Sequence, residues 1–173
     1  MSGLSTADIA GLLRASQAAI RSEVAALPAA LVGWHPAPGE WCVKACLGHL
    51  IEAERRGFAG RISFLLAHDD TPALTSWDQV AVQRGRNDCE ARTEALLEEF
   101  SDLRAGSAEL VASLTPHDLE RGGEHPQVGH LTIAMVVNEW VHHDRNHVKQ
   151  MLTNVQEYAW AQMGNAQRFS LPH

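Results

Sequence analysis

Apolar residues recur at three- and four-residue intervals over four long stretches of this chain, and strand-like alternation is almost absent. A period near 3.6 places those residues on one face of a helix, so each stretch needs a neighbour to cover it and the chain reads as all-α. The first stretch covers residues 6–27, opened by Ser5 or Thr6 as a cap with Asp8 in the first turn and closed by Pro28. It carries Ile9, Leu12, Leu13, Ile20, Val24 and Leu27 toward a core. The second follows the Pro36-Ala37-Pro38-Gly39 turn and runs over residues 41–67, with Val43, Cys46, Leu47, Leu50, Phe58, Ile62 and Leu65 on a broad face. Asn87 or Asp88 caps a third, over residues 89–114, that presents Leu96, Leu97, Phe100, Leu103, Leu110 and Val111 and stops before Pro116. The last begins at Thr132 as a cap and continues to residue 158. Residues 68–86 are polar and irregular around Asp69-Asp70-Thr71-Pro72, a loop able to roof a site, and a second polar excursion precedes Thr132. At 173 residues, with no repeat and no low-complexity segment, one domain over residues 1–173 is expected.

The last stretch contains His142-His143-Asp144-Arg145-Asn146-His147. His143 and His147 are four apart, so their rings stand one above the other and can converge on one ion at about 2.1 Å each. His142 competes for this register, but its neighbours one turn away are Asn138 and Asn146, poor ligands for a borderline metal. His49, in Gly48-His49-Leu50-Ile51-Glu52-Ala53-Glu54, is placed to complete a three-nitrogen face from another helix. Three neutral ligands leave coordination positions open, the pattern of a catalytic rather than a structural site. The chain has 10 histidines, so one pair at this spacing also arises by chance in a packed helix.

The formal charge of −7, with only 14 lysines and arginines dispersed along the chain, argues against nucleic-acid or anionic-membrane partners. No run of about 18 apolar residues occurs and no basic, then apolar leader opens Met1-Ser2-Gly3-Leu4, so a cytoplasmic protein is expected. The 3 cysteines, Cys42, Cys46 and Cys89, are odd in number and lack framework spacing, which predicts free thiols in a reducing compartment. Cys42 and Cys46 share a helix with His49, so a Cys-x3-Cys-x2-His metal site is a rival reading beside that of small buried core residues.

Four segments together carry a family resemblance: Trp34-His35-Pro36-Ala37-Pro38-Gly39-Glu40-Trp41, Gly48 to Glu54, His125-Pro126-Gln127-Val128-Gly129-His130-Leu131-Thr132-Ile133, and Glu139 to Gln150. In this order and spacing they resemble the DinB-like superfamily, over most of residues 34–150. The resemblance implies an up-down four-helix bundle with a divalent metal held by His49, His143 and His147. Zinc or nickel is the expected metal, with iron or manganese as alternatives. It implies further an enzyme that presents a low-molecular-weight thiol of the bacillithiol or mycothiol type to a small electrophile, as an S-transferase or isomerase. A metal-dependent hydrolase and a non-catalytic metal-binding stress-response protein remain alternatives.

Around the ligands, Glu52 is the candidate catalytic base or acceptor for an imidazole N–H, and Gln150 is either a partner for a metal-bound water or a core amide. Glu54 reads as a solvated or packing charge, Asp144 as a charge tied to another helix, and Trp34, Trp41 and Trp140 as packing. His35, His125 and His130 fall in loops and receive no chemistry. Leu4, Ile9 and Leu13 leave a weak apolar stripe on the first helix, from which a homodimer is expected; the other partner is a small-molecule substrate.

Overall fold

The computed structural model describes residues 3–171; Met1, Ser2, Pro172 and His173, the ends of the expected domain, lie outside the described residues. Helix α1 spans Thr6–Ala26 and begins with a capping box. The Ser5 hydroxyl accepts from the Asp8 amide at 3.1 Å, while the Asp8 carboxylate accepts from the Ser5 amide at 2.9 Å. After the short α2 (Ala29–Val32) come α3 (Val43–Glu52), a π-helical turn at Ala53–Gly57 and α4 (Ala59–Leu66). Helices α5 (Gln79–Arg86), α6 (Thr93–Ser113) and α7 (Pro116–Glu120) follow, and α8 (Ile133–Trp160) closes the bundle with Thr132 as its cap.

Helix α1 packs against α6 and α8, and α3 packs against the same two. Around the bundle the order is therefore α1, α6, α3, α8, with α1 and α3 on a diagonal. The long connections foreseen from the sequence are what permit this arrangement.

The second helix is not continuous as expected. It widens into the π turn and breaks at Phe58, whose φ of −117° and ψ of −83° are not helical. Gly60 makes the bend possible, because a Cβ there would lie 1.8 Å from the Arg55 carbonyl oxygen. The two polar stretches also hold more structure than their composition suggested. One contains α5, and the other an antiparallel hairpin of β1 (Gly122–His125) and β2 (Gly129–Thr132), so His125 and His130 stand on strands rather than in loops. This hairpin pins the preceding loop: the Leu74 amide donates to the Glu124 carbonyl at 2.8 Å and the Glu124 amide to the Pro72 carbonyl at 2.9 Å. Gly123 allows the approach, since a Cβ would meet the Pro72 oxygen at 2.5 Å.

The apolar core is in two halves. One gathers Ile9, Leu13, Phe58, Ile62, Val137 and Trp140, and the other Ile20, Leu47, Leu50, Phe100 and Met151. Between them lies a buried polar belt of Ser16, Glu54, Arg104, Ser107 and Asp144. Arg104, with none of its surface exposed, donates to Glu54 Oε1 at 2.6 Å, to Asp144 Oδ1 at 3.0 Å and to the Leu13 carbonyl at 3.1 Å. Ser107 donates to the other Glu54 oxygen. Burial pushes the Glu54 carboxyl up from its ordinary value, against the pull of Arg104.

Two expectations are corrected here. Ile9 and Leu13 are 2% and 0% exposed, so of the three apolar residues proposed as a surface stripe only Leu4, which precedes α1, faces outward, and that basis for a dimer is removed. Cys42 and Cys89 form a disulfide instead of remaining free thiols, which leaves Cys46 as the buried free cysteine. The 47-residue separation hid the pairing, because contact requires Cys42 at the start of α3 to meet the turn at Asp88–Glu90. Among the described residues, no helix is long and apolar enough to cross a membrane.

Candidate metal centre

The three histidines meet beside the polar belt. On α8 the first core half ends with Trp140 and Val141 and the second begins with Val148, so His143 and His147 occupy the gap. Helix α3 brings His49 against them. The Nε2 atoms of His49 and His143 are 3.0 Å apart, and each of the three residues offers a ring nitrogen within 4.8 Å of the others. His147 hydrogen-bonds through Nδ1 to Gln150 Oε1 at 2.9 Å; since the amide oxygen can only accept, Nδ1 carries the proton and Nε2 the lone pair.

This geometry fits a cation. Tetrahedral coordination at about 2.0–2.1 Å separates ligand nitrogens by roughly 3.3 Å, close to the spacing seen here. The Nδ1 atoms of His49 and His143 are buried without a hydrogen-bond partner among the described residues. Without an ion one of these two rings must turn its Nε2–H toward the other, whereas an ion accepts the Nε2 lone pairs of both and of His147 together. Burial also keeps the rings neutral, as ligation requires. It pushes His49 down to about 4 and His143 down to about 2, with the charge of neighbouring imidazoles adding to both shifts. His147 is lowered too, chiefly by burial, with Gln150 opposing.

Aromatic rings enclose the cluster. Trp41 lies parallel to His147 with centroids 6.2 Å apart and tilts over His49 at 5.0 Å. Phe58, swung inward by the break between the π turn and α4, stands edge-on to His143 at 5.0 Å and stacks on Trp140 at 4.9 Å. Trp77 stacks on His49 at 5.9 Å, so the loop held by the hairpin does roof the site. The cluster is nevertheless reached from one side, by a cleft of about 410 Å³ whose lining includes Phe58, Arg61, Trp77, Met135 and His143.

The remaining sequence candidates divide. Gln150 belongs to the centre as the partner that orients His147. Glu52 is 5% exposed, and its oxygens accept from Arg56 Nε at 2.6 Å and Arg86 at 2.9 Å, rather than from an imidazole. Glu54 and Asp144 are both held by Arg104, so Asp144 does tie to another helix, while Glu54 is a buried packing charge and not a solvated one. Trp34 packs on Tyr158, away from the rings. The rival cysteine site does not assemble: Cys42 is bonded to Cys89, and burial pushes the Cys46 thiol up to about 12. His125 lines the cleft although the sequence suggested no role for it. Trp77 was missed altogether, and only its position in the loop expected to form a roof hinted at it.

A helical bundle with a three-imidazole centre able to hold a metal, opening on a cleft, defines the class of protein. The chain belongs to the DinB superfamily, which matches residues 12–151. It is similar in fold to YfiT from Bacillus subtilis, described as a probable metal-dependent hydrolase with an unusual four-helix bundle topology. The TM-score is 0.81 at 19% sequence identity, over 92% of this chain and 93% of YfiT. No curated protein matches the chain in sequence.

Proposed function

We propose that His49, His143 and His147 hold one divalent cation, zinc or nickel before iron or manganese, and that the chain transfers a low-molecular-weight thiol to a small electrophile. The observation that carries this reading is that the buried carboxylates beside the centre are all engaged by arginines, which leaves Glu139, exposed where the cleft meets solvent, as the carboxylate on the open side. Glu52 is engaged by Arg56 and Arg86, and Glu54 and Asp144 by Arg104. A water nucleophile benefits from a base that takes its proton, while a thiol with an ordinary pKa of about 8.5 needs far less help. A cation on neutral imidazoles keeps its full charge and stabilises a thiol as the reactive thiolate at neutral pH.

The protein's own groups set the geometry. Gln150 fixes the tautomer of His147, Trp41 and Trp77 wall off His49, and the open side at His143 admits both reactants. The thiolate sulfur forms a bond to the electrophilic carbon, the leaving group departs with its electron pair, and the thiol proton passes to solvent. Glu52, the base suggested by sequence, serves in this reading to hold Arg56 and Arg86. A metal-dependent hydrolase is the second reading, supported by the description of YfiT, with water in place of the thiol. A purely metal-storing role is disfavoured by the cleft.

Cobalt substitution tests the proposal. Adding 2-mercaptoethanol or cysteine should produce a sulfur-to-cobalt charge-transfer band that disappears in His147→Ala and persists in Cys46→Ser. Cobalt that binds stoichiometrically but shows no response to any thiol would reject transfer and leave hydrolysis. Undiminished metal content in both His143→Ala and His147→Ala would reject the ligand set itself.

A further inference from the structure

The cleft that reaches His143 adjoins a second cleft of about 400 Å³, and the two share Arg61, Ser76 and Trp77. Arg55, Arg56 and Arg61 line the second cleft and no carboxylate does, three guanidiniums together in a chain of net charge −7. The three arginines are not equivalent. Arg55 is paired with Glu52 and, at 2.8 Å, with Glu99, while Arg56 is paired with Glu52 at 2.6 Å. Arg61 is half-buried and has neither an ion pair nor a side-chain hydrogen bond among the described residues. Glu139 faces the same first cleft but is exposed and beyond ion-pair distance.

Withdrawing a guanidinium from water without a partner is costly, because its five donors lose hydration and gain nothing. Such a group at the junction of two clefts, one ending at the imidazole cluster, is organised for a partner that arrives from solution. We propose that Arg61 is the anion seat of the substrate site, so that the substrate carries a carboxylate, or another oxyanion, on an arm leading away from its reacting atom. The planar fork of Arg61 takes two oxygens side by side. Trp77 and Phe58 cover the apolar arm, and Arg55 and Arg56, already paired with Glu52 and Glu99, do not compete for the anion. This assignment rests on the reading of the imidazole cluster as the reacting centre, and it deepens that reading by specifying the class of substrate.

The test compares 3-phenylpropionate with 3-phenyl-1-propanol, a matched pair that differs in the anionic group, by titration of the metal-loaded protein. Tryptophan fluorescence reports binding, since Trp77 lines both clefts. A charge-assisted bidentate contact predicts that the carboxylate binds about tenfold or more tightly than the alcohol, a preference that weakens as salt rises. Arg61→Ala should abolish the preference and Arg61→Lys retain part of it, with circular dichroism confirming that both fold. In His147→Ala the preference should survive, because the seat is the guanidinium and not the ion. Equal affinity for the two compounds in the wild type, or a preference that survives Arg61→Ala, overturns the assignment. A preference that survives Arg61→Ala but is lost in His147→Ala places the anion on the metal instead. Metal content measured on the same His147→Ala sample judges the ligand set separately, so the two readings fail independently.

Discussion

Gln150 and Glu52 show how single side chains near the centre differ in what they do. Gln150 touches no reacting atom, yet its oxygen fixes which nitrogen of His147 carries the proton. Its loss should therefore weaken metal binding without unfolding the chain. Gln150→Ala should lower metal affinity about 10- to 100-fold, the usual effect of removing a partner behind a ligating histidine, and competition with a chromophoric chelator measures it. Gln150→Glu, which keeps an acceptor, should restore much of the affinity. For Glu52, burial raises the carboxyl but the hydrogen bonds from Arg56 and Arg86 outweigh it and hold the group below its ordinary value. A carboxylate with a depressed folded pKa adds stability that is fully present above the unfolded value, about 4.3, and is lost as pH falls through the lower folded value. The urea midpoint of wild type should thus exceed that of Glu52→Gln by a constant margin above pH ~5, and the gap should close on acidification below pH ~4. A gap that widens in acid would contradict the arginine cage.

At the scale of elements, what the sequence made legible was what is local. The cap at the start of α1, the cap at Thr132 and the approach of His143 to His147 one turn on all follow from spacings of three or four residues, and all are present. Elements that depend on distant partners were not legible. The hairpin is glycine-rich and short, so its strands show no alternation, and they exist because Pro72 and Leu74 pair with Glu124. The tie of Asp144 to another helix was legible, but its partner Arg104 and the burial of Glu54 with it were not, because three separate helices have to meet to join them. The π turn had a signal in Gly57 and Gly60 that helical periodicity overrode. That break is functional, because it carries Phe58 against His143. Gly60→Ala would set a Cβ 1.8 Å from the Arg55 carbonyl and must straighten or displace the turn. A loss of about 1–3 kcal/mol in chemical denaturation is expected, with weakened metal binding because Phe58 and His143 move together. Wild-type stability in this variant would mean that the bend does not depend on Gly60.

For the molecule as a whole, stability and site are linked where the polar belt crosses the bundle. Helix α8, which carries His143 and His147, contributes to both core halves, and α3, which carries His49, is packed into the second, so the three histidines stand on elements anchored in the core. At one end of this frame, the disulfide fastens Cys42, next to Trp41, to Cys89, next to Asp88. Trp41 covers His49 and His147, while Asp88 accepts from Arg86, which also holds Glu52. The bond therefore joins the segment that carries Trp41 to the arginine cage around Glu52, a link that no cysteine spacing signalled. Closing a loop of 47 residues restricts the unfolded chain by about 4 kcal/mol on entropic grounds, an upper figure since native strain reduces it. Reduction should consequently lower the melting temperature, and Cys42→Ser with Cys89→Ser should reproduce the shift and make it insensitive to reductant. Thiol titration of the native protein without reductant should find no reactive group, because Cys46 is buried and its thiol is raised to about 12. Two rapidly reacting thiols in the untreated protein, together with a melting temperature unmoved by reductant, would show that the link does not form and that Trp41 is positioned by packing alone.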